Sequence, residues 1–495
     1  MKEPIYRKKP NNLFATIEEN CNYIKNSLNE TGDLEIDDVT FQNKRGKLVY
    51  LHTVADIEKI EKIFFQYLKE KPQGKKISEQ TEGVSIHKIN NLQKIIELLV
   101  EGMSILLLEN QHEAYVFDTP IEMNRSPDEP DTEKTVRGSH MGFIEDLNTN
   151  LYLLRNRIEN ISFKVKYITL GTETNQQVAI VYLEHLANKE IVEEIEKRVA
   201  DISVDMVYAP GYLEEFIEER PWSPFPQNLY TERPDRVEAH LLEGRVAILC
   251  EGSADAIVLP VTFFAFFQSP DDYNSRTYTS TAFRLLRLFS FIGTLLLPPL
   301  YISLVGFHFE IIPYEMVTLV KASITGIPFL PFFEAMFMAI TVELIREAGI
   351  RLPSPIGETI GIVGGLIIGD AVVSAGLVSN VMVIVIALTA IMSFTISSYE
   401  MGNTVRMLNL PIMIAAALFG FVGIVVSSLF IIVHMCKLES FGVPYLSPLA
   451  PLHIKDLKDS IIRVPVFMHK KRPEEIRAQE QIRQGESREW SDGKQ

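Results

Sequence analysis

Four carboxylates, Glu334, Glu343, Glu358 and Asp370, lie within long apolar runs of the second half of this chain. A charge there is expensive, and it marks an ion path, a proton relay or a buried pair. Glu334 and Glu343 are nine residues apart, which on a helix of 3.6 residues per turn sets them on opposite sides; one narrow pore does not take both. Glu343 has Arg346 one turn on as a partner, a purely structural explanation. Glu334 has none nearby and suits a water-filled or interhelical site. Glu334, Glu358 and Asp370 are therefore the candidate ion-pathway residues. No competing chemistry is offered elsewhere: there is no glycine-rich phosphate loop, no HExxH, and no arrangement of nucleophile and base. The ten histidines are dispersed singly rather than spaced to chelate a metal. No enzymatic activity, cofactor or metal is expected.

Glu358 and Asp370 interrupt a run in which Gly357, Gly361, Gly365 and Gly369 recur every fourth residue. On a helix that spacing bares the backbone along one side. Each helix-interior glycine costs about 1 kcal/mol against alanine, and close approach of a second helix in lipid is the usual compensation. These four glycines are expected to be helix-packing residues at the buried centre of a membrane assembly.

The elements that hold this run are apolar segments. Leu288 to Phe307 carries no charge, follows Arg284 and Arg287, and reads as a span with its basic flank inside, broken midway by Pro298 and Pro299. The carbonyls those prolines free must find partners in neighbouring helices or water. Ile327 to Ile345, the glycine-rich Ser354 to Gly376, Val378 to Ile396 and Pro411 to Val433 follow, and bases after Lys437 place the C-terminus inside. Both ends inside require an even number of crossings, yet five segments are present. Four full spans with Ser354 to Gly376 as a re-entrant or half-membrane segment satisfy the count.

The first 280 residues hold most of the acidity behind the net charge of -16, which argues against a nucleic-acid partner. The basic N-terminus precedes no apolar signal core, so this part is expected to stay in the cytosol. Cys21, Cys250 and Cys436 lie too far apart to suggest a disulfide framework. Helical stripes at 17–28, 57–68, 92–100, 147–158 and 191–199 alternate with strand runs at 39–41, 48–51, 104–108, 114–117, 165–170 and 178–183. The fold class is mixed: a cytosolic α/β region of two small subdomains, 1–142 and 143–244, then an all-α multipass membrane domain at 284–436. A strand pair and interfacial segment at 245–283 joins them, and a cytosolic tail at 437–495, mobile beyond Pro473, closes the chain. Proline-dense 222–235 suggests a docking surface between the soluble and membrane parts, with Pro224, Phe225, Pro226 and Arg233 as candidates.

The succession SPFPQ at 223–227, TERPD at 231–235, LLEGRVAI at 241–248, FQSPDDY at 267–273, REAGIRLPSPIGETIGIVGGLIIG at 346–369 and SFGVPYLSPLAPL at 440–452 resembles the A subunits of GerA-type spore germinant receptors. Two positions depart from that pattern: Glu251-Gly252-Ser253-Ala254 replaces the common Asp-Gly-Thr/Ser-Pro, and Asp370 stands where Gln is frequent. The resemblance implies a multipass protein of the spore inner membrane with both termini in the spore core, partnered by a transporter-like B subunit and a lipoprotein C subunit. It also implies a homo-oligomer, embedded in membrane lipid, that opens as a cation channel. A non-conducting scaffold subunit, or a germination-amplifying paralogue without its own nutrient receptor, are the alternatives. A secondary transporter ranks lower because the glycine pattern has no second copy.

Overall fold

The computed structural model describes residues 12–41, 44–69, 80–81, 84–122, 129–130, 132–207 and 209–485, with backbone alone at 64–69, 80–81, 84–85, 316, 354–360 and 362–363. It forms two units. One comprises 1–218, 228–260 and 469–495; the other, 219–227 and 261–468.

The first unit begins with α1 (Ile17–Ser27), β1 (Leu34–Phe41), β2 (Lys44–Leu51), α2 (Ile57–Lys69), β3 (Gln80–Thr81), β4 (Val84–Ile89), α3 (Leu92–Val100), β5 (Ser104–Leu108) and β6 (Ala114–Phe117). Its six strands form one antiparallel sheet in the order β1-β2-β5-β6-β4-β3. Every residue of β5 and β6 is buried, because helices cover both faces. Val49, Ile105 and Leu107 meet α1 and α3, whereas their neighbours Leu48, Leu106 and Leu108 meet Ile60 and Ile63 of α2. Thr16 and Asn91 accept from backbone N–H groups in the first turns of α1 and α3, supplying partners that a helix start lacks.

A second antiparallel sheet follows α4 (Leu147–Arg157), with β7 (Phe163–Leu170), β8 (Gln176–Leu183), β9 (Leu229–Thr231), β10 (Val246–Cys250) and β11 (Ala256–Leu259) in the order β7-β8-β10-β11-β9. Helices α5 (Lys189–Ala200), α6 (Pro210–Ile217) and α7 (Pro234–Leu241) accompany it. The strand pair expected to lead into the membrane is thus β10 and β11 of this sheet. Glu251 and Asp255, which divide the two apolar runs, flank the turn joining them, and Glu251 accepts from the Leu147 backbone N–H at 3.1 Å at the start of α4.

The two sheets of this unit are tied by an ion pair. Arg155 of α4 is fully buried and donates from Nε and Nη2 to the two oxygens of Asp33, both at 2.8 Å. Thr31 and Thr53 add hydroxyl bonds of 2.5 and 2.6 Å to the same carboxylate. Thr31 in turn accepts from Val165 N–H of β7 at 3.1 Å, and Gly32 N–H donates to Val165 O at 2.7 Å. Burial pushes the Asp33 carboxyl up, but the charge of Arg155 and these bonds outweigh it and hold it below the ordinary value.

The C-terminal tail corrects its expectation as far as residue 485. Arg472 donates to the carbonyls of Leu242, Glu480 and Ile482. Gln479 donates to those of Glu184, Leu186 and Ala187, while Ile476 is fully buried. Carbonyls at the end of β8 need donors, and the tail supplies them.

The second unit is helical: α8 (Asp271–Asn274), α9 (Thr277–Gly306), α10 (Tyr314–Ile324), α11 (Pro331–Arg351), α12 (Ser354–Ser374), α13 (Asn380–Phe394) and α14 (Tyr399–Cys436). Two of these, α9 and α14, are long and apolar enough to cross a membrane. The segment 263–267, expected to be interfacial, is a buried short helix whose Phe263 and Phe267 rings pack on Phe291 of α9. The basic flank of α9 is neutralised: Arg287 grips both oxygens of buried Asp272 at 2.8 and 2.9 Å, and Arg284 pairs with Asp272 and Asp459.

Helix α14 doubles back. Gly420 has φ 59° and ψ -138°, which only glycine adopts readily and which ends helical hydrogen bonding. Thr404 donates to Pro224 O at 2.6 Å, and Ser223 Oγ lies 2.8 Å from His434 Nε2. Along a straight helix Thr404 and His434 would lie about 45 Å apart. Both instead meet adjacent residues of 223–224, so the arms 399–419 and 421–436 run antiparallel.

The Arg155 to Asp33 pair carries a prediction. Arg155→Met leaves a buried carboxylate alone and lowers the stability of the first unit by about 3–5 kcal/mol. Because the folded-state value of Asp33 is depressed, its contribution is present at neutral pH and declines as pH falls below about 4. Amide exchange of β1 and β7 in the full chain checks both: protection should fall in the variant at neutral pH, and the gap should narrow in acid.

Candidate functional site

Helix α9 carries Pro298 and Pro299 in its middle. Neither has an N–H, so the carbonyls four residues earlier, Thr294 and Leu295, lose their helical donors. The buried side-chain amide of Asn409 in α14 supplies both, from Nδ2 to Thr294 O at 2.7 Å and to Leu295 O at 3.1 Å. One NH₂ group thus answers two adjacent prolines and fixes the first arm of α14 against α9.

Glu334 is buried in the first turn of α11, and its Oε2 accepts from Ser379 N–H at 2.8 Å. Ser379 is the N-cap of α13: its hydroxyl accepts from Met382 N–H at 3.2 Å and lies 3.3 Å from the Tyr301 hydroxyl of α9. The positive end of a helix is a favourable seat for a buried carboxylate. Glu334 therefore sits at a junction of α9, α11 and α13, already bonded to a helix N-terminus. Glu343 pairs with Arg346, as its spacing suggested, and also with Arg406 of α14, Nε to Oε1 3.2 Å.

The glycine-rich segment is one continuous helix of 21 residues, with no reversal inside it. It lacks the reversal that a re-entrant segment requires, whereas α14 does reverse, at Gly420. Helix α12 packs on α11 through Gly364, whose absent Cβ would lie 3.8 Å from Ile345. Around Gly361, Gly365 and Gly369 there is nothing within 4 Å of that position. Among the described residues the ridge faces open space. Asp370 beside it is exposed and has no hydrogen bond or ion pair among the described residues. The side chain of Glu358 and the surroundings of Gly357 lie outside the described residues. Among those described, no three His, Cys, Asp or Glu residues come together to hold a metal.

The docking candidates separate. Pro224 and Phe225 belong to the helical unit, where Phe225 stacks on His434 at 6.1 Å between ring centres; Pro226 follows them in the same segment. Arg233 is buried in the sheet-bearing unit, bonded to Asp235, Thr135 and the carbonyls of Glu133 and Ser139. Sequence reasoning missed Asn409, Arg406, Ser379 and Gly420. Asn409 and Arg406 were visible as polar residues close to an apolar run, but their partners lie on other helices.

The proline and asparagine arrangement predicts a specific rescue. Asn409→Leu strands two carbonyls in apolar surroundings and lowers the thermal stability of the full chain in detergent by an amount equivalent to about 1–3 kcal/mol per carbonyl. Adding Pro298→Ala and Pro299→Ala restores the helical donors, and melting of the triple variant should recover most of the loss.

Residues 22–475 match the family model described as Bacillus/Clostridium GerA spore germination protein. Spore germination protein B1 of Bacillus subtilis (strain 168) is 38% identical over 480 residues, covering 95% of this chain and 99% of that protein. Spore germination protein A1 of the same strain is 39% identical over 400 residues, 81% of this chain and 82% of that protein. Among solved structures, the crystal structure of the N-terminal domain of the A subunit of the Bacillus megaterium spore germinant receptor GerK3 is 24% identical, with a TM-score of 0.40, over 52% of this chain and 99% of that one. With a family match that runs through both units and a relative covered almost end to end, the chain belongs to the GerA spore germination protein family and is homologous to germinant receptor A subunits.

Proposed function

We propose that this chain is the A subunit of a nutrient-responsive receptor in the spore inner membrane, and that copies of it assemble into a gated cation-conducting channel. A transporter-like B subunit and a lipoprotein C subunit complete the receptor, with both ends of this chain in the spore core. The unfilled glycine ridge of α12 beside exposed Asp370 carries this reading. In lipid, bare backbone is compensated by close packing against another helix, and among the described residues no such helix lies along Gly361, Gly365 and Gly369. A neighbouring copy would supply it and would set one Asp370 per copy around a shared axis, where a ring of carboxylates concentrates cations.

The crossing count agrees with this arrangement. Helices α9, α11, α12 and α13 and the two arms of α14 cross six times, an even number that returns the chain to the side on which it entered. Their lengths run from 15 residues in α13 to 30 in α9. A specific observation favours the scaffold reading in part: Glu334 is buried and already accepts from Ser379 N–H, so it is not open to a passing ion.

Ion flux through the purified chain in liposomes separates the two. Asp370→Asn should lower cation flux roughly tenfold, the scale on which a ring of charge raises local cation concentration. Cross-linked multimers without any wild-type flux would decide for the scaffold. The topology has its own check in impermeant thiol labelling. Cys436 is exposed, whereas Cys21 and Cys250 are buried. Tyr399→Cys should label from the same side as Cys436, and Phe419→Cys, at the tip of the fold-back, from the opposite side. Labelling of 399 and 436 from opposite sides would mean an unbroken span.

A further inference from the structure

A groove of about 770 Å³ runs between α9, α11, α13 and α14. Its walls are apolar over most of their length, with Met336, Ile340, Ile386 and Met413 among them, and one end carries Arg346 and Arg406. From Met336 to Arg346 the groove follows ten residues of α11, about 15 Å. That is half of a hydrocarbon core about 30 Å thick, the depth reached by one acyl chain of one leaflet.

The charged end is built for an anion. The side chains of Arg346 and Arg406 are only 19% and 16% exposed, and they share a single carboxylate, Glu343. Arg406 Nε faces Glu343 Oε1 at 3.2 Å without the alignment of a hydrogen bond, and its Nη2 donates to Asn403 Oδ1. Glu347, also at this end, is ion-paired with Arg351. Two guanidiniums held side by side by one carboxylate leave an excess of positive charge at the mouth of an apolar slot. Phosphate oxygens match guanidinium forks.

We infer that this groove binds an anionic phospholipid, its phosphate between Arg346 and Arg406 and one acyl chain along Met336, Ile340 and Ile386. A free phosphate ion would use the arginines but leave the apolar walls open to water. A lipid satisfies both ends at once. It would also join α11 to α14, the helices that carry the two arginines.

Native mass spectrometry of the full chain in detergent tests the inference, with phosphatidylglycerol and phosphatidylcholine of identical acyl chains as probes. Phosphatidylglycerol should be retained about tenfold more tightly, the scale of one charge-assisted contact. Arg346→Gln with Arg406→Gln should bring it to the phosphatidylcholine level. Ala390→Phe leaves both arginines in place but narrows the apolar slot, and should weaken retention of phosphatidylglycerol as well. This second variant and the wild-type preference decide the matter if the double variant does not fold. Equal retention of the two lipids, phosphatidylglycerol retention unchanged by Ala390→Phe, or its displacement by millimolar inorganic phosphate would each overturn the assignment. So would a groove protected by a second copy of the chain, seen as lipid adducts on the monomer and none on the multimer.

Discussion

In an apolar setting a backbone carbonyl without a donor is a defect that no local change removes, and the helical unit is arranged around correcting one. Pro298 and Pro299 deprive Thr294 and Leu295 of their donors inside α9, and Asn409 answers both with one amide. This fixes which residue of α14 stands opposite the break. The position of Arg406 follows from it, since residue 406 precedes 409 by nearly one helical turn. Thr404 then reaches Pro224 O, and the return arm from Gly420 brings His434 to Ser223. The proline defect thus sets the register of the longest helix in the chain, which in turn positions the paired charges of α11.

Charge is handled in the same way in both units. Arg155 and Asp33 are buried without exposure, and the bonds of Arg155 and two threonine hydroxyls replace the water that the carboxylate loses. Arg284 and Arg287 form a comparable cluster with Asp272 and Asp459 at the start of α9. Read as sequence, those arginines are a basic flank facing the cytosolic surface. In the structure they lock the entry of α9 to the segments before and after the bundle, which gives the first long helix a fixed starting point. Pairing each buried charge with a residue distant in sequence makes these contacts specific to one fold, since an alternative packing would strand a charge.

Patterns of local origin were legible from the residues alone. The limits of α3, β5 and β6 follow from helical spacing and from short apolar runs between turn signals, and the observed elements coincide with them. Longer-range features were not. Val246 to Cys250 and the run from Ile257 read as a strand pair, but the sheet partners β8 and β9 that bury them lie elsewhere in the sequence and were not visible. The reversal in α14 is hidden for a related reason. Phe419-Gly420-Phe421-Val422-Gly423 has no polar or charged residue to announce a turn, and the turn residues Gly420 and Phe421 pack against Phe307 and His308. A hydropathy reading counts one long segment, and parity then forces a compensating re-entrant piece onto the glycine-rich helix.

That glycine-rich helix now poses the opposite problem from Gly420. At Gly420 the structure explains the residue: the conformation demands it, and Phe307 and His308 lie within 3.2 Å of where a side chain would begin. At Gly361, Gly365 and Gly369 nothing among the described residues does so. Each of these costs about 1 kcal/mol against alanine in an isolated helix, with no contact within the chain to offset it. Residues selected only for the monomer would carry side chains there, since the space is open. In the proposed assembly the compensation comes from a neighbouring copy, since a ridge spaced every fourth residue fits the straight face of another helix. Asp370 follows the last of these glycines and is free of partners among the described residues. The proposed neighbouring chain laid along α12 would thus answer both the unexplained glycines and the acid without a partner among the described residues.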